Sequence, residues 1–226
     1  MAEYSNDEER LAAIADFFKH YRNLILSLLI STSVIGIGAF GIKYTNDSNN
    51  AAASKIYAEW LKGINQEGIN IINENLYYDD LINNYESTGF AQLAMFKKAS
   101  ALAANSKLDE SELYFKELIS ISNGFFGNEL INKMARVSLA RILISKENFN
   151  GALKVIENLM TGSDPFINEL AGDALIGQNK QDLAIEQYNL AKDLYGDDAS
   201  KNIVIMKLNN IQPCLLYTSP SPRDRG

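Results

Sequence analysis

Histidine and cysteine are almost missing from this chain: His20 and Cys214 are the only ones among 226 residues. A lone cysteine makes no disulfide framework and no thiolate metal cluster, and a lone histidine supplies neither a His-rich metal site nor a second base. His20 lies beside an apolar run and reads as an interfacial residue. Proline is scarce too, four in all, and three of those lie at position 213 or beyond, so little interrupts helix formation along the body. Basic clusters are absent. With 21 Lys+Arg against 28 Asp+Glu the chain carries a net charge of −7, which disfavours nucleic-acid binding. No HExxH, nucleophile elbow or phosphate loop is present; Gly36-Ile37-Gly38 sits inside the apolar run and is no nucleotide motif. The acid pairs Asp79-Asp80 and Asp197-Asp198 fall where capping and solvation explain them. The sequence predicts a protein that is not an enzyme and has no cofactor, catalytic residue, metal site, nucleic-acid partner or small-molecule substrate.

What the chain does have is one uncharged stretch, Leu24 to Ile42, LILSLLISTSVIGIGAFGI. As a helix it rises roughly 28 Å, close to the hydrocarbon thickness of a bilayer. Arg10, Lys19 and Arg22 precede it and Lys43 follows, which places the N-terminus in the cytoplasm and the C-terminus outside. A cleaved signal peptide is the competing reading, with small residues at Ala39 and Gly41. The long acidic lead (Glu3, Asp7, Glu8, Glu9, Asp16) and the length of the run favour a retained anchor. Residues 1–23 form a cytoplasmic head whose Leu11, Ile14, Phe17 and Phe18 recur at helical spacing. That head is either a surface-lying amphipathic helix or a lead-in to the span. Residues 43–50, with TNDSNN at 45–50, read as a polar, turn-rich linker.

From residue 51 to 213 the apolar periodicity is helical throughout, rich in Ala, Leu, Ile and Asn. Breaks fall at Ser122-Asn123-Gly124, Thr161-Gly162-Ser163 and Gly196-Asp197-Asp198. Thr88-Gly89 begins one helix, and Asp164-Pro165 is a capping side chain followed by proline at the first helical position. The helices pair. LARILISKENFNGALKVIENL (Leu139 to Leu159) and AGDALIGQNKQDLAIEQYNLA (Ala171 to Ala191) repeat at an offset of 32 residues, near the 34 of a tetratricopeptide repeat. The register sets Ala140 on Gly172, Leu143 on Leu175, Ala152 on Ala184 and Ile156 on Tyr188. Small residues at Ala140, Ala152, Gly172 and Ala184 are expected to let paired helices approach closely. A weaker copy runs from Ala99 to Leu118, with Leu102 and Ser111 in matching places, and residues 52–78 read as a degenerate first pair. A generic array of helical hairpins would look similar. Residues 214–226 (CLLYTSPSPRDRG) read as translated sequencing adapter, with a Pro- and Ser-rich disordered tail as the alternative. The fold class expected is all-α, a single N-terminal transmembrane helix followed by a tetratricopeptide-like array.

Stacked helix pairs bind proteins on their faces. The candidate partner contacts are Phe125 and Phe126, in the loop GFFGNE, and Tyr188. A plug between repeats is the other reading of the two phenylalanines, and Tyr77, Tyr78 and Tyr85 read equally as groove or core.

The acidic head ending in Phe17-Phe18, the single span, the two repeats with Gly172-Asp173, and the closing IVIMKLNNI (Met206, Lys207, Leu208, Asn209, Asn210) together resemble the ancillary-subunit family of the SecYEG translocon (YfgM-type). The resemblance covers most of residues 1–213. The inserted stretch around Phe125-Phe126, the high Asn content and Lys98 at a usually apolar position depart from it. It implies a bacterial inner-membrane protein with a periplasmic domain, beside the SecYEG translocon, paired with a membrane-anchored periplasmic chaperone of the prolyl-isomerase-like type. A scaffold for another cell-envelope assembly and an unrecognised hydrolase remain as alternatives.

Overall fold

The structure, a computed structural model, describes residues 7–65, 71–124, 127–160 and 163–211. The chain divides into two units, residues 1–52 and 53–226. Among the described residues there is helix and no strand.

The first unit is built on α1 (Asp7–Asn65), 59 residues in one helix. Its apolar side chains are exposed along the run, Ile35 and Ile37 at 70% and 74%, as suits a surface meant for lipid rather than water. Three hydroxyls in the run bond back to the helix. Ser27 Oγ donates to the Leu24 carbonyl at 2.8 Å, Ser31 Oγ to Ser27, and Thr32 Oγ1 to Leu29, which lowers the cost of holding these hydroxyls in an apolar medium. Among the described residues one helix is long and apolar enough to cross a membrane. Residues 43–50 are helical, which corrects the turn-rich reading of that stretch. They contain neither glycine nor proline, Thr45 Oγ1 bonds back to the Gly41 and Ile42 carbonyls, and Ala51 to Ala53 continue the helix. Polar residues alone cost a helix only tenths of a kcal/mol each, roughly 0.3–0.7.

Among its described residues the second unit packs the end of α1 with eight further α-helices: α2 (Ile71–Tyr85), α3 (Gly89–Ala104), α4 (Leu108–Ile121), α5 (Glu129–Ser145), α6 (Phe149–Ile156), α7 (Pro165–Gly177), α8 (Gln181–Leu194) and α9 (Asp198–Ile211). The starts follow capping chemistry. Thr88 Oγ1 accepts from the Ala91 amide, Asn128 from Ile131, Asn148 from Gly151, and Asp164 from Phe166 with Pro165 beside it.

Three helix pairs, α3–α4, α5–α6 and α7–α8, share one turn. Ser106, Glu147 and Asn179 sit at φ near 60°. Around each, two amides bond back in a Schellman pattern: Lys107 to Leu102 and Ser106 to Ala103, Asn148 to Leu143 and Glu147 to Ile144, Lys180 to Leu175 and Asn179 to Ile176. The left-handed position is normally glycine's, and none of the three is glycine. We expect Glu147→Gly, at an exposed position, to raise stability by about 0.5–1 kcal/mol, the steric relief exceeding the entropy glycine adds to the unfolded chain. A rise in urea midpoint at unchanged slope checks it.

Three apolar clusters run along the unit. Trp60, Tyr78, Leu81 and Ala94 form the first; Met95, Phe115, Leu118, Leu139, Ile156 and Ile167 the central one; Leu175, Ala184, Tyr188, Val204 and Leu208 the last. Lys98 stands in the register of the buried Leu139 and Ala171. Its ammonium lies over the Tyr78 ring at 3.8 Å and reaches Tyr114 at 5.4 Å, so two aromatic faces replace the water it gives up.

Candidate partner-binding surface

The shared turn fixes a register between pairs: 106, 147 and 179 correspond, offsets of 41 and 32 residues. The longer offset carries the connection between α4 and α5, the stretch expected to be inserted. In this register Ala99, Ala140 and Gly172 are equivalent, as are Ser111, Ala152 and Ala184. The alanines and Ser111 are fully buried. Ser111 Oγ donates to the Ala99 carbonyl at 2.7 Å, a hydrogen bond between the two close-approach positions of its pair. A Cβ on Gly172 would lie 2.5 Å from the Tyr188 ring.

Tyr188 is 3% exposed. Its hydroxyl donates to Asp173 Oδ1 at 2.7 Å. This corrects its reading as a partner contact: a ring wedged against Gly172 has no surface to offer, and it works inside the pair. Burial foremost, then the bond to Asp173 and the charges of Asp173 and Glu169, push its phenol far above the usual range. Tyr195 rises for the same reasons, with its hydroxyl on Glu169 Oε2 at 2.7 Å. Lys207 of α9 completes this network. Its ammonium bonds Glu169 Oε1 at 2.7 Å and both Asp173 oxygens at 2.6 and 2.8 Å. Burial pulls the Lys207 pKa down, but the bonds and charges of Asp173 and Glu169 outweigh it, and the net shift is upward. Phe125 and Phe126 lie outside the described residues.

The same register exposes a feature that periodicity alone hides. Leu93 of α3, Met134 of α5 and Phe166 of α7 are equivalent, and they are exposed at 40%, 40% and 37%. Each stands on the first helix of its pair. Equivalent residues on stacked pairs face the same way, so the three form a ladder of wet apolar side chains, one per repeat. On α5 the stripe continues through Val137 to Arg141 at three- and four-residue steps. Arg141 borders a shallow groove of about 330 Å³ between α3 and α5, floored by Leu108, Phe115 and Ile142 and edged by Ser100, Ser138 and Ser145. It is exposed and has no ion-pair partner among the described residues, whereas Lys116, Lys133, Lys146 and Lys207 all pair with carboxylates. An apolar ladder beside an uncommitted guanidinium suits an apolar peptide segment with an acidic or carbonyl-rich neighbour. Helical spacing alone does not single out Leu93, Met134 and Phe166, because an apolar residue looks the same on either face; comparing registers across the repeats is the signal that separates them.

The family model of the tetratricopeptide repeat-like domain matches residues 15–213, taking in the apolar run as well as the pairs. A relative named ancillary SecYEG translocon subunit, from Buchnera aphidicola subsp. Acyrthosiphon pisum (strain APS), is 24% identical over 195 residues, 84% of this chain and 95% of its own length. The protein of the same name from Aggregatibacter actinomycetemcomitans is 22% identical over 213 residues, 93% of this chain and all of its own. Among solved structures, MamA (41-end) from Desulfovibrio magneticus RS-1 is similar with a TM-score of 0.52 at 16% identity, covering 72% of this chain and 83% of that one; the likeness is one of fold. With three helix pairs in one register and that match across most of its length, the chain belongs to the tetratricopeptide repeat-like domain family.

Proposed function

We propose that this protein is a single-pass inner-membrane subunit of the Sec translocon machinery that binds proteins and catalyses nothing. The anchor is α1, the N-terminus is cytoplasmic, and the repeat unit works in the periplasm, together with a membrane-anchored chaperone, on emerging secretory chains. The observation that carries the binding role is the ladder Leu93, Met134 and Phe166, one exposed apolar side chain per repeat in a single register. The names of the two relatives support the translocon as the assembly, and the charge balance around the apolar run supports the orientation. Function follows from tethering. The anchor holds the ladder near the channel exit, so its effective concentration there is high, on the order of mM for a short link, and weak contacts suffice.

The test is co-purification of the full chain with channel subunits in mild detergent. Leu93→Glu, Met134→Glu and Phe166→Glu together should cut recovery of channel or chaperone by about tenfold or more, since charge on a desolvated apolar contact costs several kcal/mol. Leu113→Glu, on α4 and 68% exposed, should leave it unchanged. Equal recovery from both variants would remove the ladder from the interface. Recovery of other envelope assemblies, with no channel subunits from the unsubstituted chain, would replace the translocon reading by the scaffold one.

A further inference from the structure

The first helices of two neighbouring pairs leave positive charge free on one face. Lys97 on α3 and Arg141 on α5 are exposed and make no ion pair among the described residues. The acidic residues at the start of α4 are committed elsewhere, Asp109 and Glu112 to Lys146 and Glu110 to Lys107. In the shared register Lys97 is level with Ser138, and Ser100 with Arg141. Ser100, Ser138 and Arg141 all edge the groove of about 330 Å³ floored by Leu108, Phe115 and Ile142. Its rim also accepts hydrogen bonds. Ser100 Oγ donates to the Phe96 carbonyl at 2.8 Å and Ser145 Oγ to the Arg141 carbonyl at 3.0 Å, so each hydroxyl has its proton spent and lone pairs to offer. α7, the first helix of the next pair, carries no Lys or Arg, and its residue equivalent to Arg141 is Asp173, already bound to Lys207.

We propose that this groove takes an extended peptide segment bearing a carboxylate, with the acidic side chain on Arg141 and Lys97 and a neighbouring apolar side chain on the floor of Leu108, Phe115 and Ile142. The inference rests on the ladder as a binding surface and names the class of chain that it selects. Cations and rim each narrow the occupant. A guanidinium pairs with a carboxylate or a phosphate. The serines accept, and a peptide has backbone N–H groups to give them, whereas a phosphate group has none. The volume is at the lower end for a small-ligand pocket, roughly 300–1,000 Å³. That suits a few residues of chain and is too small for a helix of about 10 Å diameter. In a chain of net charge −7 most of the surface repels an acidic segment, so its capture depends on this patch. Groove and ladder together set a spacing. Met134 and Arg141 are seven residues apart on α5, about two turns or 10 Å. An extended chain covers that in about three residues, at ~3.3 Å each. A segment lying along α5 therefore sets an apolar residue on Met134 and its carboxylate about three positions away. A basic segment meets Arg141 and Lys97 with like charge and is turned away.

The test uses the full chain in phosphatidylcholine nanodiscs, with capped, tetramethylrhodamine-labelled peptides read by fluorescence anisotropy. The probe is Ser-Ala-Leu-Ser-Ala-Asp-Leu-Ser, and two companions carry Asn or Lys in place of Asp. The Asp peptide should bind about tenfold more tightly than the Asn peptide, with the Lys peptide weakest and the differences shrinking at high salt. Arg141→Gln should abolish the preference for Asp, and Arg141→Glu should turn it into a preference for Lys. Arg141 is exposed, so neither substitution disturbs the core. Lys154→Gln, at an exposed position on α6, should leave the preference intact. Equal binding of the Asp and Asn peptides, no binding of either, or a preference that survives Arg141→Gln would each overturn the proposal. The ladder is judged separately. If Leu93→Glu, Met134→Glu and Phe166→Glu together weaken the Asn peptide while the unsubstituted chain binds Asp and Asn alike, the ladder stands and the charge selection falls.

Discussion

Gly172→Ala is expected to destabilise the repeat unit by about 2 kcal/mol, although alanine is the better helix former by roughly 1 kcal/mol. The added methyl would lie 2.5 Å from the Tyr188 ring, and that ring cannot retreat. It is 3% exposed, its hydroxyl is held by Asp173, and Ala184 and Ala191 of its own helix are buried beside it. In the α5–α6 pair the equivalent positions are Ala140 and Ile156, both fully buried, so the methyl and the narrower side chain occur together. In the α3–α4 pair Ala99 stands with Phe115, both buried, so the sign at Gly172 rests on the 2.5 Å approach to the Tyr188 ring and not on a rule common to the three pairs. Urea denaturation followed by circular dichroism gives the number. In a double-mutant cycle, Tyr188→Ile should make the alanine tolerable, so the combined loss falls below the sum of the single losses. Simple additivity would show that the glycine is not there for the ring.

Lys207→Met is expected to cost about 3 kcal/mol, within the range for removing one partner from a largely desolvated charge cluster. The side chains of Lys207, Glu169 and Asp173 are 29%, 13% and 32% exposed, so solvent screening is partial. Without the ammonium, two carboxylates one turn apart on α7 are left beside each other, Asp173 accepting from Tyr188 and Glu169 from Tyr195. The linkage has a definite sign. The Lys207 pKa is raised in the fold, so its stabilisation is complete below the unfolded lysine value, about 10.4, and is lost as pH climbs through the folded value. The gap between the unsubstituted chain and Lys207→Met should therefore stay constant from pH 7 to pH 9 and narrow as pH climbs above the unfolded lysine value, about 10.4, as melting curves across that range would show. A gap independent of pH would mean that the lysine acts through its methylene packing alone.

Some of this was plain in the sequence because the physics is local. An uncharged run of bilayer length, Asp164-Pro165 at a helix start, and small residues at a fixed offset each announce themselves. Other features depend on what stands opposite. The turns at Ser106, Glu147 and Asn179 are left-handed without glycine, so the residue that marks such a turn was missing, and only their backbone bonds reveal that the three pairs share it. Tyr188 looked like a docking aromatic until Gly172 and Asp173 were seen to enclose it. Thr45 to Asn50 read as a break because their residue types favour turns, yet helix on both sides carries through them. Leu93, Met134 and Phe166 stayed hidden because helical spacing says that a face exists and not whether anything covers it.

The dependence of α7 on α9 also has a consequence for how the protein is made. Glu169 and Asp173 emerge from the ribosome well before Lys207, and the last apolar cluster lacks Val204 and Leu208 until α9 is complete. During that interval the growing chain carries two unpaired carboxylates and an uncovered patch around Leu175 and Tyr188. Synthesis that stops before α9 leaves the Leu175 and Tyr188 side of α7 and α8 without the Val204 and Leu208 side chains that cover it, so the fold of this part of the unit waits on residues made roughly thirty positions after Leu175.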